Sequence, residues 1–204
     1  MSRKVKEALG RPREFDRDTV LTQAMHVFWN SGFSRTTYAS LEQATGLHRQ
    51  SLVYAFGDKE SLFYQALSHY AETQVQSIIN QLEAPGSPLK NIRAAFAEWL
   101  EDAQRETTSG CLFVNTSAEI GQSDPKVAQI IETATKRLIQ AFEQVIEAGQ
   151  TQGEITVTIS AIDLAQQAVA VGDGVLLRRR VSNDPSFAEA VFRAFLASIE
   201  CRDL

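Results

Sequence analysis

The sequence predicts an all-α chain made of a three-helix N-terminal head and a larger helical body. Three observations carry this. Apolar residues recur every three or four positions over most of the 204 residues, which is the period of an amphipathic helix. Strand-like alternation is confined to Ile155-Thr156-Val157-Thr158-Ile159. Residues 33–62, FSRTTYASLEQATGLHRQSLVYAFGDKESL, read as two short helices joined by a tight turn, with a third helix directly after them, a helix-turn-helix arrangement.

Residues 1–13, MSRKVKEALGRPR, read as a disordered basic arm ending in the tether Gly10-Arg11-Pro12-Arg13. The head spans 14–58. Asp16 or Asp18 caps a first helix reaching to about Asn30, with Val20, Ala24, Val27 and Phe28 on one face, and Ser31-Gly32 ends it. Thr36 and Thr37 are N-cap candidates for the next helix, where a hydroxyl satisfies an orphan backbone N–H. Leu41 and Ala44 recur at helical spacing and are expected to face the core. Gly46 supplies the turn with a residue free to take positive φ, and Leu47 follows as its buried residue. His48 or Arg49 begins the second helix, Leu52 and Phe56 face inward, and Gly57-Asp58 break it.

A connecting segment, 59–84, holds a helix from Lys59, capped by Asp58, to about Leu82. Leu62, Ala66, Leu67, Tyr70 and Val75 point inward. Ala84-Pro85-Gly86-Ser87-Pro88 is the clearest breaker, and the body, 85–204, follows it. Helices are expected over about 88–106, 112–121, 124–149, 160–180 and 185–201, with Asp124-Pro125, Ser160 and Asp184-Pro185 as starts. Gly149 to Gly153 reads as a loop, and 155–159 as an extended linker without a partner strand.

Composition narrows the function. Hydrophobic residues make up 44% of the chain, ordinary for a soluble globular protein long enough to bury a core. No apolar run reaches membrane length and no secretory signal is visible. The two cysteines, Cys111 and Cys201, are too few for a disulfide framework, so a cytoplasmic protein is expected. Net charge is −5, against the basic balance of a non-specific architectural DNA protein. The charge is unevenly placed: residues 1–60 carry nine Lys/Arg and seven Asp/Glu, and the remainder eleven and eighteen. A weakly basic end on an acidic body suits an approach to phosphates by that end alone. An enzyme is not expected, since no nucleophile–base pair, phosphate loop or metal-ligand spacing occurs, and neither a cofactor nor a metal site is expected.

In a helix-turn-helix the second helix enters the DNA major groove, and its first turn reads bases. Arg49, Gln50 and Ser51 occupy that turn. Arg49 suits a guanine edge and Gln50 an adenine, each pairing worth about 1–3 kcal/mol of discrimination. Thr36, Thr37, Tyr54 and Lys59 suit phosphates, and His48 is either a cap or a phosphate contact. Arg35 and Tyr38 complete the candidate DNA-binding set.

The segment resembles the DNA-binding domain of the TetR family of bacterial transcriptional regulators. Phe33, Thr36, Thr37, Leu41, Gly46, Leu47, Leu52, Phe56, Lys59, Glu60 and Leu62 carry the resemblance, which with the preceding helix covers about the first third of the chain. Two positions depart from the family pattern. Glu42 stands where a small alanine is common, and Val53 where a phosphate-contacting tyrosine is usual, leaving Tyr54 to serve from a shifted angle.

The resemblance implies a homodimer on a palindromic double-stranded operator, joined through the last two helices of each subunit, and release of a repressor by an unidentified small-molecule effector in the helical body. Ala165, Ala168, Val169, Gly172 and Val175 of 161–177, with Phe187, Val191, Phe192, Phe195, Leu196 and Ile199, are the interface candidates, and they also suit packing within the subunit. The candidate effector wall is Phe96, Trp99, Cys111, Phe113, Asn115 and Phe142, with Asn115 as a polar handle. Cys111 follows a glycine at a helix start, which favours a thiolate, and Gly110-Cys111-Leu112 resembles relatives that sense electrophiles or oxidants through that cysteine. An inert buried thiol is the competing reading. A metal site is disfavoured, since His26, His48 and His69 lie in the head or connecting helix. Arg178-Arg179-Arg180 reads as a structural run at a helix C-terminus.

Overall fold

Asp16 opens the first helix by accepting the N–H of Asp18 at 3.2 Å, and the helices then follow in the order the periodicity implies. The computed structural model describes residues 15–104, 110–182 and 184–201; the arm expected over 1–13 lies outside them. The helices are α1 (Arg17–Arg35), α2 (Tyr38–Thr45), α3 (Arg49–Phe56), α4 (Lys59–Tyr70), α5 (Gln76–Leu82), α6 (Pro88–Gln104), α7 (Leu112–Ile120), α8 (Pro125–Thr151), α9 (Ala161–Arg178) and α10 (Ser186–Ile199). A π-helical turn, Ala71–Val75, joins α4 to α5 without a break.

The head core forms where α1 and α4 face each other beneath the two short helices. Phe28 meets Phe63 edge-on at 4.8 Å between ring centroids. Leu41, Leu52 and Phe56 bring the undersides of α2 and α3 onto it. The body core gathers around Phe96, whose ring lies 4.7 Å from Phe192 and 5.3 Å from both Trp99 and Phe195. Tyr70 joins head to body, with Trp29 at 5.0 Å on one side and Phe113 at 4.9 Å on the other.

Several expectations change. The first helical run continues through a break at Gly32 (φ 76°) to Arg35. Thr36 is 1% exposed and its hydroxyl donates to the Gly32 carbonyl at 2.6 Å, so Thr37 alone caps α2. Ala44 is exposed and Leu47 half-buried, because Leu41 alone fills the space under so short a helix. Gly149 lies inside α8, where an added Cβ would stand 2.5 Å from Ile155 Cδ1. No strand forms at 155–159, but Ile155 pairs with Glu200 in an isolated antiparallel bridge. Thr156 N–H donates to Ile199 O at 2.8 Å and Cys201 N–H to Glu154 O at 2.9 Å, tying the end of α10 to the α8–α9 connection.

The residues named for a dimer seam mostly face inward. Ala165, Ala168, Val169, Gly172 and Val175 are buried against their own subunit, as are Phe192, Phe195, Leu196 and Ile199. Gly172 is small because Trp99 lies on it: a Cβ there would meet the indole at 2.6 Å. Phe187 is exposed and Val191 half-buried. The outward apolar stripe of the pair is instead Ala170, Gly174, Leu177, Phe187, Ala190 and Ala194. Arg179, from the basic run, is buried and its neighbours Arg178 and Arg180 are exposed.

Candidate nucleic-acid interface and internal cavity

The turn between α2 and α3 is built by local hydrogen bonds. Thr37 Oγ1 accepts Ser40 N–H at 3.2 Å while Thr37 N–H donates to Ser40 Oγ at 3.1 Å, a reciprocal capping box. Gly46 adopts φ 68° and donates its N–H to Glu42 O at 2.9 Å. Glu42 then reaches across the turn, and its Oε1 accepts Arg49 N–H at 2.5 Å. The longer side chain that replaces the common alanine therefore caps the recognition helix, and His48, the N-cap residue, makes no side-chain cap of its own.

That cap leaves the reading face outward. Arg49, Gln50 and Ser51 are exposed on the first turn of α3, and the Arg49 guanidinium sits 4.5 Å over the Tyr38 ring. Tyr54 is 94% exposed and Val53 40%. Arg35 is exposed too, its Nε donating to Ser31 O at 2.9 Å. Lys59 is held differently. Its ammonium donates to the carbonyls of Phe33 and Thr36, each at 3.1 Å, and lies 4.4 Å over the Phe33 ring. Two of its three N–H groups thus close the end of α1 before any phosphate is considered. Arg17, outside the expected set, plays a similar part: it donates to Ala55 O at 2.6 Å and Gln65 Oε1 at 2.7 Å, fastening the end of α3 to α1 and α4.

Behind the head lies a cavity of about 440 Å³, within the usual range for small-molecule sites. Of the residues named for an effector wall, Trp99, Cys111 and Phe113 line it. Phe96 and Phe142 belong to the aromatic core behind it, and Asn115 lies off the wall. Trp29, Tyr70, Gln74 and Asp173 were not anticipated. Trp29 comes from the head and Tyr70 from the connecting helix, so a search within the body alone misses both. The π turn at Ala71–Val75 contributes Gln74 and Val75 to the wall.

Two side chains in that wall have displaced proton equilibria. Burial pushes the Cys111 thiol up, and hydrogen bonds from Tyr70 and from the backbone of Val114 and Phe113 offset part of this. The Tyr70 hydroxyl donates to Cys111 Sγ at 3.3 Å. The thiolate expected from a helix start is therefore not favoured. Asp173 is solvent-exposed at the edge of the cavity, and partial loss of hydration from the protein around it pushes its carboxyl up to about 6.

Helix α7 connects cavity and head. Phe113, Val114, Ser117 and Ala118 lie on the cavity wall. Directly after Ala118, Glu119 accepts Phe33 N–H at 3.0 Å and Ser34 N–H at 2.8 Å. Tyr64 of α4 makes a second tie, donating to Asp124 Oδ2 at 2.8 Å; this bond pushes its phenol up to about 12.

Comparison with known proteins agrees with this geometry. The family model described as the tetracyclin repressor-like C-terminal domain matches residues 88–195. The chain is 35% identical over 150 residues to YezE of Bacillus subtilis (strain 168), an uncharacterized HTH-type transcriptional regulator, spanning 72% of this chain and 76% of that one. It is 28% identical over 180 residues to the HTH-type transcriptional repressor ComR of Escherichia coli (strain K12), spanning 86% and 85%. Among solved structures, a cysteine mutant of the TetR family regulator CifR, complexed with a 26-bp double-strand operator DNA, superposes with a TM-score of 0.77 at 27% identity, covering 92% of this chain and 99% of that one. Among the described residues no helix is long and apolar enough to cross a membrane. With the body matched by the family model and the head built as a capped helix-turn-helix, the chain belongs to the TetR family of DNA-binding transcriptional regulators and is not an enzyme.

Proposed function

We propose that this regulator is a cytoplasmic homodimeric repressor, released from a palindromic operator when a small molecule occupies the cavity behind the head. The observation that carries the reading is the double role of α7, which lines the cavity and grips the segment entering α2 through Glu119. Both heads must fit one rigid duplex, their recognition helices about 34–36 Å apart. An occupant that binds better when α7 is displaced therefore disfavours the DNA-competent spacing. Ala170, Gly174, Ala190 and Ala194 of the outward stripe on α9 and α10 are small enough for two subunits to approach closely. Repression by ComR and operator binding by CifR agree with this reading.

A second reading makes Cys111 an electrophile or oxidant sensor. Its place in the cavity wall supports this reading, and the raised thiol counts against it. Selection of duplexes from a random pool tests the main reading. Recovery of an inverted repeat whose complex dissociates when the cavity is filled is the expected result. Half-sites without symmetry, or a motif bound equally well with the cavity filled, would sink it. Release by a mild electrophile from wild type, lost in Cys111→Ser, would favour the second reading instead.

A further inference from the structure

We propose that the cavity takes a hydrophobic cation, an amine or quaternary ammonium on an aromatic or branched apolar body, with Asp173 as its counter-charge. The inference rests on the reading of this cavity as the effector site and names the chemical class that site selects.

The walls set the body of the ligand. Trp29, Tyr70, Trp99 and Phe113 contribute aromatic surface. The Trp29 and Tyr70 rings stand at 89° and those of Tyr70 and Phe113 at 64°, so π faces and edges meet along a corner. Faces of this kind attract cations as well as apolar groups. Aliphatic side chains, among them Val75, Ile78 and Val169, cover much of the remainder.

Charge sets the rest. Asp173 is the one charged side chain among the described wall residues, which include no Lys, Arg or His. The wall's other titratable groups are the Tyr70 phenol and the Cys111 thiol, and Gln74, Ser117 and Thr135 add neutral polarity. Among the described residues no hydrogen bond or ion pair neutralises the Asp173 carboxylate. A carboxylate that keeps part of its hydration but has no partner carries a smaller cost than a buried one, which a cation beside it relieves. A neutral ligand leaves that cost in place and an anionic one adds repulsion, whereas a cation removes it.

The chain supplies its own probe. It has two tryptophans, Trp29 and Trp99, and both line this cavity, so intrinsic fluorescence reports its occupancy. The test titrates the intact protein at pH 7.5 with 4-phenylbutylamine (cationic at this pH), 4-phenylbutanol and 4-phenylbutyrate, three probes of matched length that differ in charge. The ammonium is expected to bind at least about tenfold more tightly than the alcohol and the carboxylate weakest. Asp173→Asn is expected to bring the ammonium to the level of the alcohol, and Asp173→Glu to keep most of the preference. A cooperative melt no lower than that of wild type, with unchanged DNA binding, confirms that each variant is folded. Equal binding of ammonium and alcohol, an ammonium preference that survives Asp173→Asn, or no response to any probe overturns the assignment. Operator release is measured alongside by fluorescence anisotropy. Ammonium binding that depends on Asp173 but leaves the operator complex intact would defeat the effector reading and keep the cation site. Release by the alcohol as effective as by the ammonium would do the reverse.

Discussion

The carboxylate of Glu119 accepts the backbone N–H of Ser34 at 2.8 Å through one oxygen and that of Phe33 at 3.0 Å through the other. The contact spans the head and the body. It is possible because Gly32 turns the chain at φ 76°, and because a Cβ at that position would stand 2.5 Å from Glu119 Oε2. Burial alone would push the Glu119 carboxyl up. The hydrogen bonds from Ser34 and Phe33, with the charge of Arg35 nearby, hold it below its ordinary value.

Glu119→Ala removes both acceptors. Hydrogen bonds to an exposed carboxylate are screened, so a stability loss of about 1 kcal/mol is expected, with a larger effect on communication. The ratio of operator affinities with the cavity empty and filled should move toward one. Measuring that ratio by anisotropy checks it; an unchanged ratio would show that coupling runs through another contact, such as Tyr64 with Asp124. The stabilisation from Glu119 should be present above the ordinary glutamate range and lost as pH falls through its lowered native value.

Arg49 and Lys59 should separate cleanly. Arg49→Ala is expected to leave the melting temperature unchanged and to cost about 1–3 kcal/mol of discrimination at one base position. Lys59→Ala opens two backbone carbonyls at the end of α1. It should lower stability by about 1–3 kcal/mol, a fall of several degrees in melting temperature, before DNA is added. Calorimetry with binding-site selection on each variant tests this. A Lys59→Ala protein that melts with wild type but binds every duplex more weakly would return Lys59 to a phosphate contact alone.

The two cysteines should react in a set order. Cys201 is exposed and Cys111 buried with its thiol pushed up. Iodoacetamide at pH 7.5 is expected to modify Cys201 at least about tenfold faster. The Cys111 rate should still be rising above the ordinary thiol range, and should fall when the cavity is filled. Peptide mass spectrometry resolves both sites. Comparable rates at neutral pH would reinstate a reactive Cys111.

The head was legible in the sequence because its signals are local. Caps, a turn glycine and short apolar faces each act within a few residues, and Thr37, Gly46 and Asp58 do what their chemistry implies. The cavity was half legible for the opposite reason. Trp29 and Cys111 lie far apart in the chain, yet both face the same space. Periodicity marks an inward residue but does not say whether it meets other side chains or a void, so Phe96 and Phe142 looked as suitable as Trp99. Nothing local marked Asp173, which sits on a helix whose small residues suggested only close packing. Glu42 was visible as a departure, but its bond to Arg49 N–H depends on the turn placing two helices at one angle.

Asp173 also makes a prediction about stability. Its native carboxyl is pushed up to about 6, above the 3.8 of an ordinary aspartate. Between those values the native state holds a proton that the unfolded chain has released, so stability falls as pH rises through that window. Above it the cost of a partly dehydrated carboxylate is present in full. Asp173→Asn keeps the size of the side chain and removes the charge. The variant should melt higher than wild type at pH 7.5, by about 2 °C once solvent screening from the cavity is allowed for. The difference should shrink through pH 5 and vanish below about pH 4, where both proteins carry a neutral group. A saturating ammonium probe should reverse the order at pH 7.5, since it binds more tightly to, and so stabilises more, the protein that retains the carboxylate. Thermal melts across this range, at matched protein concentration, decide the point. A variant no more stable than wild type at any pH would mean that the carboxylate is well hydrated in the empty cavity and has no cost for a cation to relieve.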